Sequence, residues 1–226
     1  MKFGVIGGLG AFASSRLYEL INVEAVKQAK GEITDSIFPE LIIHQVPFAA
    51  TDSLGNANDI LFRREVNRSL DLMELVGVDT VVFACNTLDY IMKALIESRN
   101  LSYISVADHT IESINSNLGI QSIVVMTSEK ARFDGLYRNQ ILVPVLECEQ
   151  EKVNTLIQDS MSGKTKESAY LFKDIEKTFS KESEGCFILL GCTELSVYSP
   201  YASINSIDSL QLISEKIVRM NNENSQ

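Results

Sequence analysis

The chain has 226 residues, 45% of them hydrophobic and 22% charged, which is enough for one large domain or two small ones around a sizeable core. A net charge of −10 and a pI of about 4.8 argue against nucleic acid and anionic membranes as partners, since both are bound through basic patches. No apolar run nears the ~20 residues of a membrane span, and the start, MKFGVIGGLGAF, is too glycine-rich for a signal peptide.

In chain order, KFGVIG (2–7) reads as a strand that runs through a glycine turn into the helix FASSRLYELINVEAVKQA (12–29). ELIIHQV (40–46) is a second strand. NANDILFRREVNRSLDLMELVG (56–77) is a helix with Asn56 or Asn58 as its cap and Gly77 at its end. Strands TVVFA (80–84) and SYISV (102–106) precede the helix HTIESINSNLG (109–119). QSIVVM (121–126) and LVPVL (142–146) are strands, and SAYLFKDIEKTFSKE (168–182) is a helix leading to the strand CFILLG (186–191). DSLQLISEKIVRM (208–220), capped by Asp208, closes the chain before a frayed tail, NNENSQ. Most strands are continuous apolar runs, as in a parallel sheet buried on both faces. The β/α alternation makes the class α/β with a largely parallel sheet.

Two segments share a pattern. TVVFACNTLDY (80–90) and CFILLGCTEL (186–195) each end a buried strand in a small residue and a cysteine, then turn polar and open a helix. Cys85 and Cys192 lie about half a chain apart. This implies two similar lobes, residues 1–103 with 207–226 and residues 104–206, each placing a thiol at a strand's carboxyl end, where open α/β sheets bind ligands. A sulfur near the free N–H groups of a helix start is favoured as thiolate. Its neighbours are Asn86 and Thr87 at one site and Thr193 and Glu194 at the other, and side-chain amides and hydroxyls together with helix N-terminal amides can hold a substrate carboxylate. A thiolate on one face of a carbon can remove a proton while a thiol on the other returns one. Cys186 begins an apolar strand and reads as core. Cys148, between Glu147 and Glu149, has no such context. Four scattered cysteines and two histidines form neither a disulfide framework nor a zinc spacing, and fit a reduced, cytoplasmic enzyme.

GVIGGLG, ACNT and LGCTEL, together with SVADHTIESI followed by SIVVMTS, resemble the aspartate/glutamate racemase family in the same order along nearly the whole chain. The resemblance implies a two-lobed α/β enzyme without cofactor, cytosolic and homodimeric, whose cysteines act as acid and base at an amino acid's Cα. By motif, Cys85 and Cys192 are catalytic. The backbone of Gly8 and Leu9 would line the cleft, and Asn86, Thr87 and Thr193 would hold the α-carboxylate and ammonium. Thr127 would lie opposite them. Glu194 matches the aspartate-racemase form. Lys166, with Lys164 as rival, would reach the side-chain carboxylate. The sequence departs from the family where an arginine often follows the second strand: VPFAATDS places Phe48 there. Leu88-Asp89 replaces Ala-His after ACNT, and TSEK replaces TxGT. Acidic substrates are therefore not the expected ones.

GLGAFA (8–13) also fits G-x-G-x-x-A after a strand, the dinucleotide fingerprint, but no acidic residue ends the second strand. A racemase-like protein without turnover is the other alternative. His44 and His109 read as structural, and no lysine sits at a strand end suited to a Schiff base.

Overall fold

The computed structural model describes residues 1–31, 33–51, 57–179, 185–203 and 205–224. The first half of the chain contributes β1 (Lys2–Gly7), α1 (Ala11–Gln28), β2 (Glu40–Gln45), α2 (Asp59–Leu75), β3 (Thr80–Phe83), α3 (Asp89–Ile96), β4 (Ser102–Ile104) and α4 (Val106–Asn115). The second half contributes β5 (Ser122–Met126), α5 (Glu129–Phe133), β6 (Val145–Leu146), α6 (Gln150–Met161), α7 (Thr165–Phe179), β7 (Cys186–Leu190), a 3-10 segment (Thr193–Tyr201), β8 (Ser206–Asp208) and α8 (Ser209–Asn224).

The strands form two parallel sheets of four, ordered β2-β1-β3-β4 and β6-β5-β7-β8. The second order is the first repeated four strands later, so the two lobes share a topology. Period-two alternation feeds both faces of each sheet. Phe3 and Val5 pack with Leu17 and Ile21 of α1 and with Leu210 and Ile213 of α8. Ile6, Val81 and Phe83 point the other way, toward Phe62 and Val66 of α2 and Ile91 of α3. In the second lobe, Val124 and Ile188 meet Leu156 of α6 and Phe172 of α7, while Ile123 and Leu189 meet Ile111 and Ile114 of α4. Full burial of each such side chain stabilises by about 1.5–3 kcal/mol. β8 pairs with β7, yet the helix that follows it packs on the first lobe. The carboxylate of Asp208 accepts the Leu210 N–H at 2.9 Å and the Ser196 hydroxyl at 2.6 Å, capping α8 as expected.

The Asn58 side chain caps α2 by accepting the Leu61 N–H, whereas Asn56 and residues 180–182 lie outside the described residues. Several expected bounds move. The helix expected at 109–119 begins at Val106, because Ser105 accepts the Asp108 N–H at 3.0 Å and so fixes an earlier start. LVPVL narrows to Val145–Leu146, since Pro144 has no N–H to give a ladder. The tail is not frayed throughout: α8 continues to Asn224. α5, α6 and β8 were not foreseen, and α3 was expected only as a helix opening after Cys85.

Candidate active site

Each lobe's third strand lies beside its first, at the point where strand order reverses, and the chain leaving that strand carries a cysteine. After β3 come Ala84 and Cys85, with the Ala84 N–H still donating to the Ile6 carbonyl at 3.0 Å. After β7 come Gly191 and Cys192, whose N–H groups reach the Met126 carbonyl at 2.8 and 3.2 Å. The sequence expectation of a helix directly after each thiol needs correction. Cys85 is separated from α3 by a short turn, and Cys192 opens a 3-10 segment rather than an α-helix.

Both thiols line one cavity of about 160 Å³, together with Gly8, Leu9, Thr87, Ser128 and Glu194. Phe48, Thr51, Leu88, Ile157 and Met161 complete much of its wall. The N-terminus of α1 also opens here. Gly10 caps it with no side-chain hydrogen bond, so the first N–H groups of an 18-residue helix face the site. Gly10 has φ 81°, and a Cβ there would overlap the Glu194 carboxylate, so glycine is required twice over.

The flanking residues tie the lobes together. The Asn86 side-chain amide donates to the Gly191 carbonyl and to the Tyr137 hydroxyl, both at 2.8 Å, and Tyr137 itself donates to the Gly191 carbonyl at 2.9 Å. Reciprocally, the Thr193 hydroxyl donates to the Ala84 carbonyl at 3.1 Å. The residue after each cysteine thus binds the carbonyl of the residue before the other. A Cβ on Gly191 would meet the Tyr137 ring at 2.8 Å, which explains the glycine before Cys192. Across the cavity, the Thr87 and Ser128 hydroxyls lie 2.7 Å apart. Ser128 already accepts the Ala131 N–H at 3.2 Å as the cap of α5. With Ser128 donating to Thr87, the Thr87 proton is left for the cavity.

The electrostatics of the thiols differ. Burial first, and the Glu194 charge after it, push the Cys85 thiol up to about 12, with the backbone amides of Leu88 and Thr87 pulling against both. Burial, then the Glu194 charge, holds the Cys192 thiol well above the ordinary range. Cys192 Sγ donates to Glu194 Oε2 at 2.9 Å, and the Thr193 hydroxyl lies 3.2 Å from the same oxygen. Burial also raises Glu194 itself, while the bonds from Cys192 and Thr193 oppose it.

Of the residues singled out from sequence, Gly8, Leu9, Cys85, Thr87, Cys192 and Glu194 come together at the cavity. Asn86 and Thr193 do not line it and are engaged in the ties described. Thr127 does not face the thiols. It lines a separate cavity of about 360 Å³ in the second lobe, with its hydroxyl buried and without a partner in the described structure. Ser128, one residue on, holds the place expected for Thr127. Lys166 and Lys164 are exposed and absent from the cavity wall. His44 and His109 are likewise absent from it. Sequence reading missed Gly10, Thr51 and Ser128; the serine's cap position before α5 was the available signal. The carboxylate against Gly10 occupies the space over α1 that a bound pyrophosphate would need, which disfavours the dinucleotide reading.

No family model matches the chain, and no curated protein matches it in sequence. Solved structures do match. An aspartate racemase from Picrophilus torridus superposes with a TM-score of 0.83 at 19% identity, covering 98% of this chain and 95% of that one. An aspartate racemase homologue from Pyrococcus horikoshii OT3 matches with a TM-score of 0.74 at 21% identity, covering 98% and 99%. Glutamate racemase from Thermus thermophilus matches with a TM-score of 0.67 at 15% identity, covering 99% and 81%. The chain has the two-lobed α/β fold of the aspartate and glutamate racemases. Among the described residues, no helix is long and apolar enough to cross a membrane.

Proposed function

We propose that the protein is an amino-acid racemase that needs no cofactor, with Cys85 and Cys192 as its acid and base. The observation that carries this reading is the pair of thiols, one from the corresponding strand end of each lobe, on a single small cavity. The α-carboxylate of the substrate takes the hydroxyls of Thr87 and Ser128 and the N-terminus of α1. Its ammonium takes the Glu194 carboxylate.

In the empty site both thiols hold their protons, because burial disfavours the thiolate. An ammonium entering between them brings an opposite charge and lowers both, so substrate binding itself favours the reactive form. The thiolate takes the Cα proton and leaves the C–H electron pair on the carbon, delocalised into the α-carboxylate. The opposite thiol protonates the other face and becomes the thiolate. One enantiomer presents its proton to Cys85 and the other to Cys192. Asn86 and Thr193 fix the separation of the sulfurs without touching substrate. We also propose a cytosolic homodimer; the four free cysteines fit a reducing compartment.

The test is hydrogen exchange at Cα in D2O, followed by proton NMR across L- and D-amino acids. Exchange with both enantiomers of one amino acid supports two bases. A folded protein that exchanges none of them would be a racemase-like binder, and the proposal would fail.

A further inference from the structure

The same cavity carries a statement about the substrate's side chain. We infer that the substrate is an amino acid whose side chain is neutral and largely apolar, neither aspartate nor glutamate. This deepens the racemase reading and rests on it.

Among the described residues that line the cavity, none is lysine or arginine. The ionisable carboxyl that lines it is Glu194, an anion or a neutral acid and never a cation. Once Thr87 and Ser128 hold the α-carboxylate and Glu194 the ammonium, what remains is a wall of Leu9, Phe48, Leu88, Ile157 and Met161 with the Thr51 hydroxyl. That wall is fixed. Phe48 packs on Phe62 with ring centroids 5.1 Å apart and edge-on to Phe83 at 6.3 Å, and Leu88 is 1% exposed. A second carboxylate would lose its water against this surface and gain no cation, beside a site that already holds one carboxyl. A methyl, thioether or branched aliphatic group would bury favourably there. The volume of about 160 Å³ is also below the ~300–1,000 Å³ of sites for drug-sized ligands, which favours a compact side chain. Loss of one charge-assisted hydrogen bond lowers affinity by about 10- to 150-fold, and that factor sets the expected discrimination.

The experiment compares Cα exchange in D2O for both enantiomers of alanine, serine, valine, methionine, aspartate and glutamate. The best neutral amino acid is expected to lead both acidic ones in kcat/KM by at least about tenfold. An acidic substrate in the lead would overturn the inference and leave the two-thiol chemistry standing. Silence across the whole panel would overturn the two-thiol chemistry and this inference with it. Phe48→Arg sharpens the test by supplying the missing cation. It should move the aspartate-to-neutral ratio toward aspartate by about tenfold or more. An unchanged ratio in a folded variant would show that Phe48 does not face the side chain and overturn the assignment. If that variant does not fold, the wild-type ratio decides alone.

Discussion

The loop after β3 and the loop after β7 begin alike and end differently. Both leave the third strand of a β2-β1-β3-β4-type sheet, and both carry a small residue and then a cysteine. Around Cys85 the opposing influences are backbone amides, from Thr87 and Leu88, which favour the thiolate. Around Cys192 the nearest group is a carboxylate, which accepts the thiol's proton in a hydrogen bond and disfavours the thiolate. Identical topology therefore yields two unequal acids. The Glu194 charge raises both thiols, and what separates them is that Cys192 also gives its proton in a hydrogen bond to that carboxylate. The thiolate form is therefore less opposed at Cys85 than at Cys192, and the difference can be tested from the chemistry inward.

The largest effect belongs to the sulfurs. Cys85→Ser and Cys192→Ser should each cut racemisation by about 10²–10⁴-fold, since a hydroxyl replaces the general base on one face. Each variant should keep exchange with one enantiomer only, and the enantiomer should differ between the two. Chiral chromatography with NMR exchange reads both quantities. Full activity in either variant would end the two-base comparison.

Next are the ties that hold the loops in register. Asn86→Ala leaves the Gly191 carbonyl without its amide donor and should cost about 1–3 kcal/mol of stability. Thr193→Val removes the reciprocal bond to Ala84 and should cost less, about 0.5–1.5 kcal/mol. Both should lower kcat more than they raise KM, because they set sulfur spacing and do not touch substrate in this geometry. A large rise in KM at unchanged kcat would instead make Asn86 a binding residue. Thermal melts with steady-state kinetics separate the two outcomes.

These ties also show where the sequence could and could not be read. The strand-end cysteines, the α/β alternation and the glycine turn before α1 were legible because each is a local pattern. The role of Asn86 was not, since its partners Gly191 and Tyr137 come from the other lobe. Ser128 was not singled out beside Thr127: adjacent residues in an extended segment point to opposite sides, and spacing alone does not say which faces inward. The lysines at 164 and 166 looked useful on paper; their exposure depends on how α6 turns into α7, which no motif encodes. β8 escaped notice because its three residues carry no apolar run.

Glu194→Gln should narrow the gap between the two loops. It removes a charge that raises both thiols, so Cys85 and Cys192 should each titrate lower than in the wild type. At fixed pH their alkylation by iodoacetamide, mapped by mass spectrometry, should quicken, by about tenfold for each unit of lowering. In the wild type, the Cys85 thiol is raised from 9.0 to about 12. Between those values the native state keeps a proton that the unfolded chain has lost, so stability should fall as pH rises through that window. Glu194→Gln should move the upper end of the window down. Unchanged alkylation rates would mean that burial alone sets both thiols.

The smallest effect is expected at the thiol that belongs to neither loop. Cys148 follows β6, is only partly buried, and directs its S–H toward the Val125 carbonyl at 3.8 Å. Burial raises it to about 11, with Arg132 lowering it and Glu147 raising it. Those opposing charges are solvent-facing ion-pair partners, so their influence is screened. Cys148 does not line the cavity that holds Cys85 and Cys192. Cys148→Ser should therefore change kcat/KM by less than about twofold and stability by less than about 1 kcal/mol, the value of one weak hydrogen bond. Being the most accessible of the four thiols, Cys148 should still be the first alkylated in the intact protein. If its modification or substitution abolishes exchange while Cys85 and Cys192 remain free, the chemistry does not lie between the two strand-end loops.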